Sequence, residues 1–369
     1  MGLTVLIANN RMDWPGGTAI YTRDLALELR RQGHRPIVYT WIKGETAKQL
    51  EAAGVSVVDD LRRVPAPPDV IQGHQGALLT GALLAFPDAA AVFVCHAHGG
   101  AWDRAVIAPQ VRRYLGVSAL CIDRLRRDGA PAHQTRLSLN SVDLDVFRQR
   151  PPLPERPRNA LVFSNYASQA THLAVVQEAC LRAGVQVDVV GRAAGTTTYH
   201  PEELLPRYDV VFAKAKAAME AMAVGTAVVL CDFGGVGPMV TSADFERLRP
   251  LNFGFAALTE SLTPDNVLRQ LQRYDAAEAT RVCALMRGCG GLSHSVTEMV
   301  AVYREAIIEA KDATTAKAPP PSRLARARYR IVSTIIVRYC RRFGMETRRL
   351  PAPMRPLYGL ARSALSRLR

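Results

Sequence analysis

Residues 208–240, YDVVFAKAKAAMEAMAVGTAVVLCDFGGVGPMV, restrict the possible folds more than any other stretch. Val210, Val211 and Phe212 form a short apolar run. Residues 215–223 are rich in Ala, Met, Glu and Lys, all strong helix formers. Gly225 follows, where a left-handed helix end favours glycine. Residues 227–230 are a second apolar run of the length that suits a buried parallel strand. Asp232, Gly234, Gly235 and Gly237 then form a turn. The pattern predicts strand, helix, strand and glycine turn, and open α/β sheets bind ligands beyond the carboxyl ends of their strands. Glu220 is the one acid among Ala217, Ala218, Met219, Ala221, Met222 and Ala223. It reads either as a solvent-facing residue or as a carboxylate placed to accept hydrogen bonds from sugar hydroxyls.

The amino-terminal part repeats the α/β theme. Residues 3–8 are apolar, NNRMDWPGG follows, and Ile20, Leu25 and Leu29 fall near helical spacing, with Tyr21 beside them. Arg30 and Arg31 sit in the last turn and Gly33 stops the helix. A strand is predicted at residues 37–40. Gly16 and Gly17 stand at the helix entrance, where backbone N–H groups favour phosphate, although turn glycines are commoner than phosphate loops. The segment DVIQGH, residues 69–74, ends in His74. The strand-like residues 90–95 run into HAHGGAWD, which places His96 and His98 at a strand-to-loop boundary. These histidines read as chemical groups or as structural ones. A metal site built from His74, His96, His98 and Asp103 is a third reading.

The run DVVFAKAKAAMEAMAVGTAVVLCDFGG resembles the nucleotide-binding segment of family-4 glycosyltransferases, which are two-domain GT-B enzymes, retaining and dependent on nucleotide sugars. The resemblance implies that Glu220 is the second of two acidic residues and holds the nucleotide ribose. The first acid, eight positions earlier, falls on Phe212, and Lys214 and Lys216 occupy a shortened loop. The glycine pair followed by RRQGH also resembles the family's first domain. So do DVIQGH and YLGVSAL, the latter read as a strand over residues 115–120. A His at the position of His96 approaches the transferred sugar and the acceptor in that family. RLSLNSVDLDVF resembles the family's iPNGVD---F run at Asn140, Val142, Asp143 and Phe147, which leads out of the first domain. The Pro- and Arg-rich residues 148–158 read as the interdomain linker.

A second domain opens with a strand at residues 159–163. Its following loop carries Ser164, Asn165 and Ser168, where the family places an Arg and a Lys on the diphosphate. Arg192, Lys214 or Lys216 is expected to supply the missing charge. Thr263 is a predicted N-cap with Pro264 at the first helical position. Residues 295–310 match the family's closing helix.

The expected fold is therefore α/β, with two Rossmann-like doubly wound domains facing a cleft. The acceptor domain spans 1–150, the nucleotide-sugar domain 151–311, a Pro-rich linker 312–322 and a basic helical tail 323–369. By this reading His96 and His98 are catalytic. Gly16, Gly17, Glu220, Arg192, Lys214, Lys216, Gly234 and Gly235 hold the donor, and His74 and Asp103 face the acceptor. The resembling family needs no metal for transfer, and no cofactor is expected beyond the donor itself. The partners expected are a nucleotide sugar and a glycan or lipid-linked acceptor. A nucleotide-sugar epimerase or hydrolase of the same fold, and a non-catalytic nucleotide- or glycan-binding protein, stay open as other readings.

Composition narrows the setting. The seven cysteines include no CxxC pair and are odd in number, which argues for reduced thiols and a cytoplasmic location. No basic region precedes the first apolar run, and no stretch of about twenty apolar residues exists. The net charge of +14 is concentrated at one end: residues 323–369 hold thirteen Arg against Glu346, leaving +2 for residues 1–322. That distribution speaks against a nucleic-acid-binding body. In the tail Leu324, Ile331, Val332, Ile335, Ile336, Tyr339 and Phe343 form one helical arc, opposite Arg323, Arg326, Arg330 and Arg341. A basic amphipathic helix of this kind suits an anionic membrane surface at the inner face, with a partner helix or RNA as competing readings.

Overall fold

Short apolar runs become parallel strands because both faces of such a strand are covered by helices. In the computed structural model, which describes residues 2–100, 103–312 and the isolated positions 323, 327, 331, 334 and 335, the first run is β1 (Thr4–Ala8). Val5, Leu6, Ile7 and Ala8 are fully buried in it. There follow the two-residue β2 (Arg11–Met12), then β3 (Arg35–Tyr39), the short β4 (Ile42–Lys43), β5 (Ser56–Val58), β6 (Val70–Gly73), β7 (Ala90–Cys95), β8 (Val111–Gly116) and β9 (Thr135–Leu137). Seven of these form one parallel sheet in the order β5-β3-β1-β6-β7-β8-β9. The order reverses between β1 and β6, so the loops after those two strands flank the switch point where ligands bind in such sheets. Helix Gly17–Arg31 leaves the loop after β1, and helix Gly76–Ala85 leaves the loop after β6.

The second sheet contains β10 (Asn159–Phe163), β11 (Gln186–Val190), β12 (Val210–Ala213), β13 (Ala227–Asp232) and β14 (Gly235–Met239), in the order β11-β10-β12-β13-β14. The first four strands are parallel, and β14 returns antiparallel to β13. Its switch point lies between β10 and β12. Helix Ala215–Val224 ends on Gly225 at φ +96°, the left-handed position that glycine adopts without a Cβ clash. Gly235 has φ +139°, and a Cβ there would lie 2.6 Å from the Glu260 carbonyl oxygen, so the tight hairpin after β13 requires glycine. Thr263 caps helix Pro264–Leu271 through its side chain.

The division of the chain differs from the one expected. One compact unit holds the chain up to Ser138 and again from Val296, and the other holds Leu139–Ser295. Residues 140–147, which follow the first unit's end at Ser138, already belong to the second unit, where Val142 and Phe147 are buried in the core with Met219, Met222 and Met286. Residues 148–158 are not a free linker. The Arg150 N–H donates to Val224 O, Leu153 enters the core beside Val162 and Val176, and Tyr274 donates to Pro154 O. The strand read at residues 115–120 is β8, which ends at Gly116, because Ser118 caps helix Ala119–Arg127. Helix Leu292–Asp312, expected over residues 295–310, buries Val296, Met299, Val300 and Tyr303. The linker from residue 312 and the tail 323–369 lie outside the described residues, apart from Asp312 and the five isolated positions.

Candidate functional site

In the second unit the charged groups gather at the carboxyl edge of the sheet. Lys214 follows β12 directly and is the N-cap residue of helix Ala215–Val224. Its ammonium lies 3.0 Å from Asp232, the last residue of β13, whose side chain is 1% exposed. Ser164, directly after β10, places its hydroxyl 3.5 Å from both Asp232 oxygens, and the Phe233 N–H donates to Asp232 at 2.7 Å. His172 stands at the start of helix Leu173–Ala183, fully buried, with Nδ1 3.7 Å from Asp232. Neither of its ring nitrogens has a hydrogen-bond partner. Burial holds the His172 imidazole below its ordinary pKa, Asp232 opposing and Lys214 reinforcing that shift. Two aromatic rings flank the ammonium, Phe255 with its centroid 4.4 Å away and Tyr166 at 5.4 Å, and Phe233 packs edge-on against both rings. Tyr166 and Phe233 are half exposed, leaving ring faces at the surface beside a cation.

The helix entrance here is strained. Ala215, Asn252 and Phe253 all have left-handed backbone angles, at φ +52°, +57° and +49°, and the Ala215 N–H donates to Phe253 O at 2.8 Å. Each such non-glycine residue costs on the order of 1 kcal/mol, and strain of this kind collects at functional loops. Within the helix Glu220 is buried, not solvent-facing, and lies 3.4 Å from the Lys216 ammonium one turn earlier. Lys216 also donates to Ser141 O at 3.0 Å, which ties the helix to the segment containing Asn140. A buried carboxylate is an acceptor-only group, suited to hydroxyl donors.

In the first unit the polar groups gather around the sheet's switch point. His74, just beyond β6, and His96, just beyond β7, meet with Nδ1 of His74 2.7 Å from Nε2 of His96. Tyr21 packs edge-on against both rings, at centroid distances of 5.3 and 4.6 Å. Burial pushes the His96 pKa down to about 3 and holds His74 well below its ordinary value, so both rings are neutral at physiological pH. Gln72 reaches His74 Nε2 at 3.4 Å and accepts from the Tyr303 hydroxyl. Gly16 is the N-cap of helix Gly17–Arg31, with no side-chain cap, and the space where a Gly17 Cβ would sit is open.

The structure thus joins Lys214 with Asp232, Lys216 with Glu220, and His74 with His96. His98 is exposed on the loop beyond β7. Asp103 is buried near the Cys95 thiol. Arg192 is exposed after β11, its N–H donating to Asn165 Oδ1 at 3.2 Å, so it shares an edge with the Ser164 loop. Gly234 lies in the β13–β14 turn, where a Cβ would come within 3.0 Å of the Phe255 ring. A common metal is a poor fit to the four residues weighed as ligands, because the facing nitrogens of His74 and His96 are at hydrogen-bonding separation and satisfy each other. Among the described residues the grouping with ligand-like spacing is His200, Glu202 and Glu203, elsewhere on the second unit. Sequence reasoning passed over Asp232, His172, Tyr166, Phe233, Gln72 and Tyr303 as site residues. Two of them carried a signal: Asp232 closes an otherwise apolar strand, and Gln72 interrupts one.

The sequence matches no protein-family model, and no curated protein matches it. Solved structures do resemble it. A glycosyltransferase from Rickettsia africae superposes with TM-score 0.59 at 13% identity, covering 83% of this chain and 99% of that one. Anabaena HepE, solved in complex with UDP and glucose, gives TM-score 0.58 at 12% identity over 82% of this chain and 100% of its own. A Listeria monocytogenes protein assigned as a UDP-N-acetylglucosamine 2-epimerase gives TM-score 0.50 at 13% identity over 84% of this chain and 98% of its own. At such identities the likeness shows the fold, two Rossmann-like units of the GT-B kind.

Proposed function

We propose that this chain transfers a sugar from a nucleotide-diphosphate sugar to a glycan, lipid or small-molecule acceptor, with retention at the anomeric carbon. The observation that carries the reading is Glu220: a buried carboxylate on the helix that leaves the second unit's switch-point strand. Its oxygens are matched to the two hydroxyl donors of a ribose. Lys214, Lys216 and Arg192 supply positive charge for the diphosphate, and the Gly234–Gly235 hairpin bounds the same edge. The half-exposed Tyr166 and Phe233 rings offer a face to a ring of the donor. Transfer then rests on stabilising the diphosphate leaving group with fixed cations and N–H dipoles. His96 serves the transferred sugar, His74 and Asp103 the acceptor side, and the open helix entrance at Gly16 and Gly17 the donor phosphates. His98 joins this set as an exposed loop residue. Retention rests on the resemblance to family-4 enzymes.

A second reading has its own support. The loop from Ser164 to His172 has no Arg or Lys, and Lys214 is already engaged by Asp232. A protein that binds nucleotide or glycan without transferring sugar fits those two facts. A thermal-shift series with UDP, GDP and ADP, followed by incubation with the matching sugar nucleotides and an acceptor panel, separates the readings. Transfer predicts stabilisation by one nucleotide, about 2.7 kcal/mol at a hundred times its Kd, and acceptor-dependent release of nucleoside diphosphate. Binding without turnover supports the second reading, and isomerised free donor supports an epimerase. Stabilisation by none of the three nucleotides removes the proposal.

The setting belongs to the same proposal. The described cysteines are unpaired thiols, which fits a reducing cytoplasm, and no helix among the described residues is long and apolar enough to cross a membrane. The thirteen arginines of residues 323–369 suit an anionic lipid surface, where each contributes about 1 kcal/mol. The full chain is expected to co-sediment with liposomes containing phosphatidylserine and not with neutral ones. Equal sedimentation with both would remove the membrane assignment.

A further inference from the structure

We infer that Tyr303 and Gln72 are positioning residues that fix the tautomers of His74 and His96, so that His96 carries its proton on Nδ1 and acts as a hydrogen-bond donor. Tyr303 is fully buried on helix Leu292–Asp312, and its hydroxyl proton goes to Gln72 Oε1. Gln72 is fully buried as well. Turning its amide over would present an NH2 group to Tyr303 and leave the phenol proton without an acceptor, the costly state for a buried donor. The Gln72 NH2 therefore faces the other way, where it points at His74 Nε2, 3.4 Å away.

An amide NH2 can only donate, so His74 Nε2 is the accepting, unprotonated nitrogen. The neutral ring then bears its proton on Nδ1, and that proton is donated to His96 Nε2 across 2.7 Å. His96 Nε2 is thereby an acceptor, and its proton sits on Nδ1. Burial keeps both rings neutral, so the relay is not short-circuited by a second proton. The consequence for chemistry is a sign. A neutral His96 presenting Nδ1–H meets an oxygen acceptor, either a hydroxyl oxygen or a phosphoryl oxygen. It does not remove a proton from an attacking hydroxyl through that nitrogen. Its use in catalysis rests on the transferase reading above, whereas the tautomer does not.

The test is a long-range 1H–15N correlation spectrum of the full chain labelled with 15N-histidine, at pH 7.5, with His96 identified by His96→Gln. Both His74 and His96 are expected to show a protonated Nδ1 and a bare Nε2. Gln72→Glu replaces the donating amide by an acceptor, so the protons of both rings are expected to move to Nε2. Tyr303→Phe removes the hydroxyl that holds the amide, and a mixture of tautomers is expected. A wild-type spectrum with the proton on His96 Nε2 would overturn the inference. So would unchanged tautomers in Gln72→Glu when that variant melts like wild type. If neither variant folds, the wild-type spectrum alone decides. None of these readouts depends on sugar transfer, so a failed activity screen and a failed relay are separate results.

Discussion

Glu220→Ala is expected to lower the affinity for the cognate nucleoside diphosphate by at least about 100-fold, measured by titration calorimetry. A hydrogen bond to a charged acceptor contributes roughly 1.5–3 kcal/mol, and the proposal gives the Glu220 carboxylate two of them, one from each ribose hydroxyl. The same substitution removes the carboxylate paired with the Lys216 ammonium, whose side chain is 12% exposed and which keeps its bond to Ser141 O. Some stability is lost with it, because an uncompensated buried charge is costly. Glu220→Gln separates the two effects. It keeps shape and acceptor oxygen while removing the charge, so it is expected to fold normally and lose affinity about tenfold. Unchanged affinity in both variants would place the ribose elsewhere.

Lys214→Met is expected to destabilise the protein by about 3–5 kcal/mol, because it leaves the Asp232 carboxylate, 1% exposed, without its cation. His172 does not replace the lost charge, since burial favours its neutral form. Asp232→Asn costs less, as the partly exposed lysine is free to turn toward water. The double variant Lys214→Met with Asp232→Asn is expected to recover most of the stability in urea unfolding and none of the nucleotide affinity. Recovery of stability without binding identifies Lys214 as a donor-site cation held in place by Asp232. A double variant that binds nucleotide like wild type would make the pair purely structural. A Lys214→Met protein as stable as wild type would show that Asp232 is solvated.

Much of this architecture was legible along the chain, because it follows from local patterns. The apolar runs at 210–212 and 227–230 are strands with both faces covered, and Gly225 ends the helix between them at a positive φ. Thr263 and Pro264 start their helix as their chemistry dictates. Errors arose where sequence position was taken for spatial allegiance. Residues 140–158 follow the first sheet in the chain, yet Val142, Phe147 and Leu153 have their apolar partners in the second unit.

The site was half legible for a related reason. Glu220 stood out as the one acid in an apolar helix, and it is buried beside the Lys216 ammonium. Lys214 with Asp232 and Gln72 with Tyr303 join residues far apart in sequence, the latter pair by 231 positions. Such polar pairs have no periodicity to betray them, unlike a hydrophobic face. His96 and His98 look equivalent in HAHGG, but His96 meets the His74 ring and His98 is exposed.

The most direct measurement of the central claim compares the cognate nucleoside diphosphate with its 2′,3′-dideoxy analogue, on wild type and on Glu220→Gln. If the Glu220 carboxylate grips the ribose, removing the hydroxyls weakens binding to wild type by about the sum of two charged hydrogen bonds, and the analogue binds both proteins nearly alike. If the analogue binds wild type as tightly as the parent nucleotide, the ribose does not rest on Glu220 and the account is contradicted.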